Sequence, residues 1–203
     1  SMNLGDITKI DEMALPKDID LVTYGFPCQD ISLAGKQIGL FNEDGTQTRS
    51  GLFFDALRVI EATQPRVAIA ENVKNLTSKK FNAQFQIVLE SLEQAGYNNY
   101  WQVLNAKDYE VPEDRDRVFY VGFRKDLGIT DYEYPYPIKS RITLRDAIGD
   151  LQYSVIPAKE KNHTNGKDCR VLNHEYYVGG FSPIFLSRNR VRGWEDQGFT
   201  VQA

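Results

Sequence analysis

The sequence predicts an α/β fold: a mostly parallel sheet with helices on both faces. Three observations predict it. Short apolar runs end in Gly or a charged residue, apolar stripes at helical spacing separate them, and the two patterns alternate along the first 125 residues. Asp20-Leu-Val-Thr-Tyr-Gly25 reads as a buried strand, followed by a polar, Gly-bearing loop to Ser50. Ser50 is the expected N-cap of a helix on which Phe53, Ala56, Leu57 and Ile60 recur at helical spacing. Val67-Ala-Ile-Ala70, after Pro65, is the second strand. Asn82 is placed to cap a second helix carrying Phe85, Val88, Leu89 and Leu92, with Gly96 as its stop. Tyr100–Leu104 and Val118–Phe123 supply two further strands. In sheets of this kind functional groups collect at the carboxyl ends of the strands.

The texture then changes. Residues 131–137, Asp-Tyr-Glu-Tyr-Pro-Tyr-Pro, contain two prolines that exclude a regular helix or central strand, so they read as a linker. One short helix is expected around Thr143–Leu151, with loops and short strands beyond. Two units follow from this division, residues 1–125 and 126–203.

Composition sets outer limits. The chain has 203 residues, a net charge of −4 and two cysteines, Cys28 and Cys169, without metal-ligand spacing. A disulfide scaffold or a structural zinc site is therefore not expected, and no metal is. No apolar run reaches the roughly 18 residues that span a bilayer, so no membrane partner is expected. The acidic balance argues against nucleic acid as a partner. Its distribution weakens that argument: residues 1–125 carry 14 basic and 18 acidic side chains, residues 126–203 carry 10 of each. The neutral part holds Ser187-Arg-Asn-Arg-Val-Arg192, three arginines without an acid, which is either a solvated face or a phosphate-binding stripe.

Cys28 lies in Tyr24-Gly-Phe-Pro-Cys-Gln-Asp-Ile-Ser-Leu-Ala-Gly35, just past the first strand. A lone cysteine is usually a small buried hydrophobe, but this one sits where a nucleophile would be placed. Glu71 ends the second strand and falls on the same rim, where a partly buried carboxyl can act as a proton donor. Arg115 and Arg117 alternate into the last apolar strand, which would put both guanidiniums on one face. The alternative is an ion-pair network with Glu113, Asp114 and Asp116. His163 and His174 lack ligand spacing, and Cys169 reads as a plain thiol.

These segments together resemble the cytosine-C5 DNA methyltransferase family over about residues 4 to 124. Gly25-Phe-Pro-Cys28-Gln29, with Ser32, Ala34 and Gly35, looks like its nucleophile loop, and Glu71-Asn-Val73 like its Glu-Asn-Val segment. Glu113-Asp-Arg115-Asp-Arg117 is similar to its Gln-x-Arg-x-Arg segment, with Glu113 in place of the usual Gln. Gly5-Asp-Ile7 looks like the segment that meets the adenine of S-adenosylmethionine, and Arg49-Ser-Gly-Leu52 like the one that opens the next helix.

The resemblance implies a partial Rossmann-like, S-adenosylmethionine-dependent methyltransferase fold. It implies methyl transfer to C5 of a cytosine flipped out of double-stranded DNA, through a Cys28 adduct at C6. Glu71 would act at N3, Arg117 at O2, and Arg115 would fix Glu71. Asp6, Ile7, Pro27 and Leu52 would touch the cofactor. Phe26, Gln29, Ser32 and Asn72 would touch the substrate, together with Arg188, Arg190, Arg192 and Thr200 of the target-recognition region. The loop from Gln29 to about Gly45 would close over the flipped base. The family's Phe-x-Gly-x-Gly segment and its final helix and strand have no counterpart in these residues. The cofactor pocket is thus expected to be incomplete and the chain inactive alone. The alternative is a DNA-binding or split-enzyme subunit whose partner supplies the cofactor half. A bacterial cytoplasmic setting is implied, with a restriction endonuclease as a genetic rather than physical partner.

Overall fold

The structure, a computed structural model, describes residues 3–32, 35–158, 175–176, 178 and 191–200. Contacts gather these into two units, one from Ser1–Leu104 and Asp116–Tyr136, the other from Asn105–Arg115 and Pro137–Ala203. The first contains β1 (Leu21–Gly25), α1 (Phe53–Thr63), β2 (Val67–Val73), α2 (Asn82–Gln94) and β3 (Tyr97–Asn105). After β4 (Glu113–Asp114), which belongs to the second unit, β5 (Asp116–Arg124) returns to the sheet.

The sheet runs in the order β1-β2-β5-β3. β1 and β2 are parallel, in register from Leu21 opposite Val67 to Gly25 opposite Glu71. β2 and β5 are antiparallel, from Val67 opposite Phe123 to Val73 opposite Arg117. The sheet is therefore mixed. The segment Ala106–Arg115 between β3 and β5 falls short of the dozen or so residues that a parallel crossover needs, so β5 runs back against its neighbours.

Burial along β2 alternates strictly. Ala68, Ala70 and Asn72 are buried, while Val67, Ile69, Glu71 and Val73 are half-exposed. The buried face packs on Phe53, Leu57 and Ile60 of α1 and on Phe85, Val88 and Leu92 of α2, the stripes that periodicity predicts. Phe26 meets Phe53 edge-on at 5.5 Å, and Phe85 lies 5.7 Å from the ring of Tyr120. Among the described residues the opposite face carries no helix. Leu21, Val67, Ile69, Val121, Phe123, Leu127, Ile129 and Tyr132 line an open groove of about 690 Å³ there.

Helix starts differ from the expectation. Ser50 opens a single 3₁₀ turn, Ser50–Leu52, that runs straight into α1, whose N-cap Leu52 makes no side-chain bond. Ser50 is instead buried against Asp30. Its hydroxyl accepts from the Asp30 amide at 3.3 Å and its amide donates to Asp30 Oδ2 at 3.2 Å. Asn82 is the first residue of α2 and Phe81 its N-cap, again without a side-chain bond. Gly96 takes the left-handed conformation, φ +99°, that ends α2. The proline-rich stretch packs rather than dangles: the Tyr134 hydroxyl reaches the carbonyls of Tyr100 and Phe119, each at 3.0 Å.

In the second unit β4 pairs with β8 (Gly198–Phe199), and β6 (Ile156–Pro157) with β7 (Glu175–Tyr176), both in parallel. α3 (Leu144–Ile148) begins at Thr143, whose hydroxyl and amide both engage Asp146 in a capping box. No described helix is long and apolar enough to cross a membrane.

Burial lifts the phenols of Tyr24 and Tyr120 well above the ordinary tyrosine range, and pushes Tyr97 up to about 12. The fold holds these groups neutral, whereas the unfolded chain releases their protons from about pH 10. Their contribution is complete below pH 10 and is lost as pH rises through the folded values. Urea midpoints should stay level to about pH 10 and fall towards pH 12, with the tyrosinate absorbance of Tyr24, Tyr97 and Tyr120 appearing only on unfolding. Ionisation of all tyrosines near pH 10 in the folded protein would contradict this.

Candidate active site

The strand register decides which side chains can meet. Parallel pairing sets Gly25 opposite Glu71, so the loop that leaves β1 begins beside that carboxylate. A Cβ built on Gly25 would lie 3.8 Å from Glu71 Oε2, which places the carboxylate over the glycine. Antiparallel pairing sets Arg117, near the start of β5, opposite Val73 at the end of β2. Arg117 Nε donates to Glu71 Oε1 at 2.6 Å, with 39% of the Glu71 side chain exposed and 18% of Arg117. Arg117 Nη1 also donates to the Asp116 carbonyl at 2.8 Å, so two bonds fix the guanidinium that orients Glu71.

The Cys28 loop is built from the other side of β2. Asn72, 2% exposed, donates from Nδ2 to the Phe26 carbonyl at 3.1 Å and accepts from the Val73 amide at 2.8 Å. That bond fixes the backbone just before Pro27 and Cys28. The Cys28 carbonyl accepts from the amides of Ile31 and Ser32 at 3.0 and 2.7 Å, turning the chain back on itself. Ile31 and Leu40 are fully buried. Asn75 Nδ2 donates to the Ile31 carbonyl at 2.5 Å, and the Leu40 amide donates to Gln84 Oε1 at 2.6 Å. Gly35 closes the turn where only glycine fits, since a Cβ there would overlap the Gln29 carbonyl. Cys28 itself is half-buried with a free thiol. The Gln29–Gly45 segment is therefore anchored at Ile31 and Leu40, with Gln29, Lys36, Ile38 and the turn around Asn42–Thr46 exposed among the described residues.

Thus the first unit brings Glu71, Arg117, Asn72 and the Phe26–Ser32 loop to one end of the sheet. Arg115 lies in the second unit, between β4 and β5. It pairs with Glu113 at 3.8 Å, and its amide donates to Asn105 Oδ1 at 3.2 Å.

At the N-terminal segment, the amide and hydroxyl of Thr8 hold the exposed Asp6 carboxyl below the usual carboxylate range. The Ile7 carbonyl accepts from Arg58 Nη2 at 2.8 Å and the Ile10 carbonyl from Nη1 at 3.0 Å, and Arg58 also pairs with Glu12. Arg58 of α1 thus pins this segment. Sequence reasoning missed it, together with Asp30, Asn75 and Gln84, because their partners lie far away along the chain.

In the second unit Arg192 stands 3.6 Å from Asp114 Oδ2 and 4.2 Å over the Phe199 ring, and the Thr200 hydroxyl reaches the Asp114 carbonyl at 3.3 Å. Lys107 and Asn105 hold the Asp114 carboxyl below its usual range. Ala34, Arg188, Arg190, His163, His174 and Cys169 lie outside the described residues.

The family model for C-5 cytosine-specific DNA methylases matches residues 1–203. The Type II methyltransferase M.FnuDI of Fusobacterium nucleatum is 48% identical over 200 residues, a match that covers 98% of this chain and 56% of that protein. M.NgoPII of Neisseria gonorrhoeae is 44% identical over 203 residues, covering 98% and 57%. The chain therefore spans between 56% and 57% of the length of these relatives. An E. coli prophage-encoded protein described as a DNA modification methyltransferase superposes with a TM-score of 0.55 at 21% identity, over 77% of this chain and 45% of that one. That likeness shows the fold.

The Asn72 bond to Phe26 gives a direct test. Asn72→Ala leaves a buried carbonyl without its donor and should cost about 1–3 kcal/mol, read as a lowered urea midpoint. An unchanged midpoint would show that the bond does not hold the loop.

Proposed function

Because this chain belongs to the C-5 cytosine-specific DNA methylase family, we propose that it carries the cytosine-processing part of a DNA methyltransferase. The substrate is a cytosine swung out of double-stranded DNA, at an unstacking cost of a few kcal/mol. The observation that carries this reading is the 2.6 Å Arg117–Glu71 pair on the strand ends beside the Cys28 loop.

Cytosine C5 is a poor nucleophile. Addition of Cys28 Sγ, as the thiolate, to C6 pushes ring electrons onto C5 and N3. Glu71 supplies a proton or hydrogen bond at N3 as that charge develops, and Arg117 keeps its carboxyl in place. The Phe26 carbonyl, fixed by Asn72, keeps a second lone pair for the exocyclic amine. With the methyl on C5, loss of the C5 proton restores the ring and expels the Cys28 thiolate. Gln29 and Ser32 line the same loop and serve the base and its flanking phosphates. Arg115 helps fix Glu71 and the reacting geometry in this reading.

S-adenosylmethionine, when bound, supplies the methyl group as an electrophile. Asp6, Ile7, Pro27 and Leu52 offer one exposed carboxylate acceptor and three apolar side chains. That set fits an adenine, which asks for an apolar slot and one acceptor at its amine. A ribose diol and an amino-acid carboxylate ask for further groups. Residues 126–203 are the proposed target-recognition region. There Arg192 braces β8 through Phe199 and Asp114, and Arg188 and Arg190 are assigned to DNA in this reading. A genomically linked restriction endonuclease and a bacterial cytoplasmic setting complete the reading, supported by the Type II naming of the relatives.

Bisulfite sequencing of plasmid DNA from cells expressing the complete reading frame should show methylated cytosines at one sequence. Cys28→Ser should abolish them, and Glu71→Gln should slow methyl transfer by about 10²–10⁴-fold. Undiminished methylation by Cys28→Ser would overturn the assignment.

A further inference from the structure

We propose that Lys79 and Lys80, on the turn after β2, form a phosphate-binding ledge that grips the DNA backbone beside the Cys28 loop; this rests on the DNA reading above. Lys80 Nζ donates to Gln37 Oε1 at 2.9 Å, the Lys36 amide donates to the Gln29 carbonyl at 3.2 Å, and Arg49 Nη1 donates to Gln29 Oε1 at 3.2 Å. These bonds string Lys80, Lys36 and Arg49 into one strip bordering Gln29, the residue after Cys28, and Lys79 adjoins Lys80 on the same exposed turn. All four cations are exposed, and none forms an ion pair among the described residues.

Most cations elsewhere in the unit are used differently. Arg58, Arg66, Lys74, Arg117 and Arg124 each pair with a carboxylate. Lys17 and Lys125 donate to the carbonyls of Ala62 and Glu93, close to the ends of α1 and α2. Acids near the strip are also occupied. Asp30 is buried on the Ser50 amide, Asp44 is taken by the amide and hydroxyl of Thr46, and Asp116 by Lys74. A strip of unneutralised cations on a chain of net charge −4 is a local field suited to a polyanion. Asn75 and Gln84 tie the turn region and α2 to the loop, so the ledge keeps a fixed position relative to Cys28.

The test is fluorescence anisotropy of a labelled DNA duplex, titrated with the chain at a series of salt concentrations. Each lysine–phosphate contact contributes about 0.9 to the slope of log K against log salt. Lys79→Gln with Lys80→Gln should therefore lower the slope by about 1.8, and Lys79→Arg with Lys80→Arg should restore it. Lys17→Gln should leave it unchanged. A double Gln variant with the wild-type slope overturns the ledge and leaves the DNA reading standing. A wild-type chain that binds no duplex at any salt overturns both.

Discussion

The parallel register of β1 on β2 is the constraint from which the site follows. A one-residue slip would move every side chain of β1 to the opposite face and would part Gly25 from Glu71. The register is specified by burial. Ala68 and Ala70 are small enough to let two helices lie close on one face, while Ile69 and Glu71 point the other way. With that pairing set, the loop after Gly25 begins beside Glu71. β5, arriving antiparallel, brings Arg117 to the same end of the sheet. Asn72 and Glu71, adjacent in sequence and opposite in direction, then serve two tasks from one strand. One holds the Phe26 carbonyl, and the other presents a carboxylate that Arg117 orients.

Rigidity and access are divided along the same loop. Its ends are held by buried groups: Asp30 on Ser50, Ile31 under Asn75, and Leu40 on Gln84. The thiol of Cys28 sits between those anchors and remains half-exposed. A nucleophile needs both a fixed backbone and an open approach, and here separate residues provide them.

Much of this was legible in the sequence, for physical reasons that differ by level. The helical stripes Phe53/Ala56/Leu57/Ile60 and Phe85/Val88/Leu92 could be read because burial of one face imposes a period that local sequence records. Cys28 and Glu71 could be read because strand ends are marked by a change from apolar to polar residues. The antiparallel course of β5 depends on the length and path of the preceding segment, which periodicity does not encode. The role of Ser50 escaped because a buried Asp30 twenty residues away outcompetes local capping. The anchoring of the Gln29–Gly45 loop by Ile31 and Leu40 was not legible, because their partners Asn75 and Gln84 lie more than forty residues away.

The open face of the sheet bears on how the stability of this chain is to be understood. β1 ends the strand order, with its outer backbone groups unpaired among the described strands, and Leu21, 51% exposed, stands at the rim of an apolar groove. Whatever polypeptide covers that groove removes apolar area from water and binds only the folded sheet. By mass action such binding adds directly to the folding free energy. Where a surface binds that groove, the melting temperature rises with the concentration of that surface, and an uncovered apolar edge is a place for edge-to-edge association.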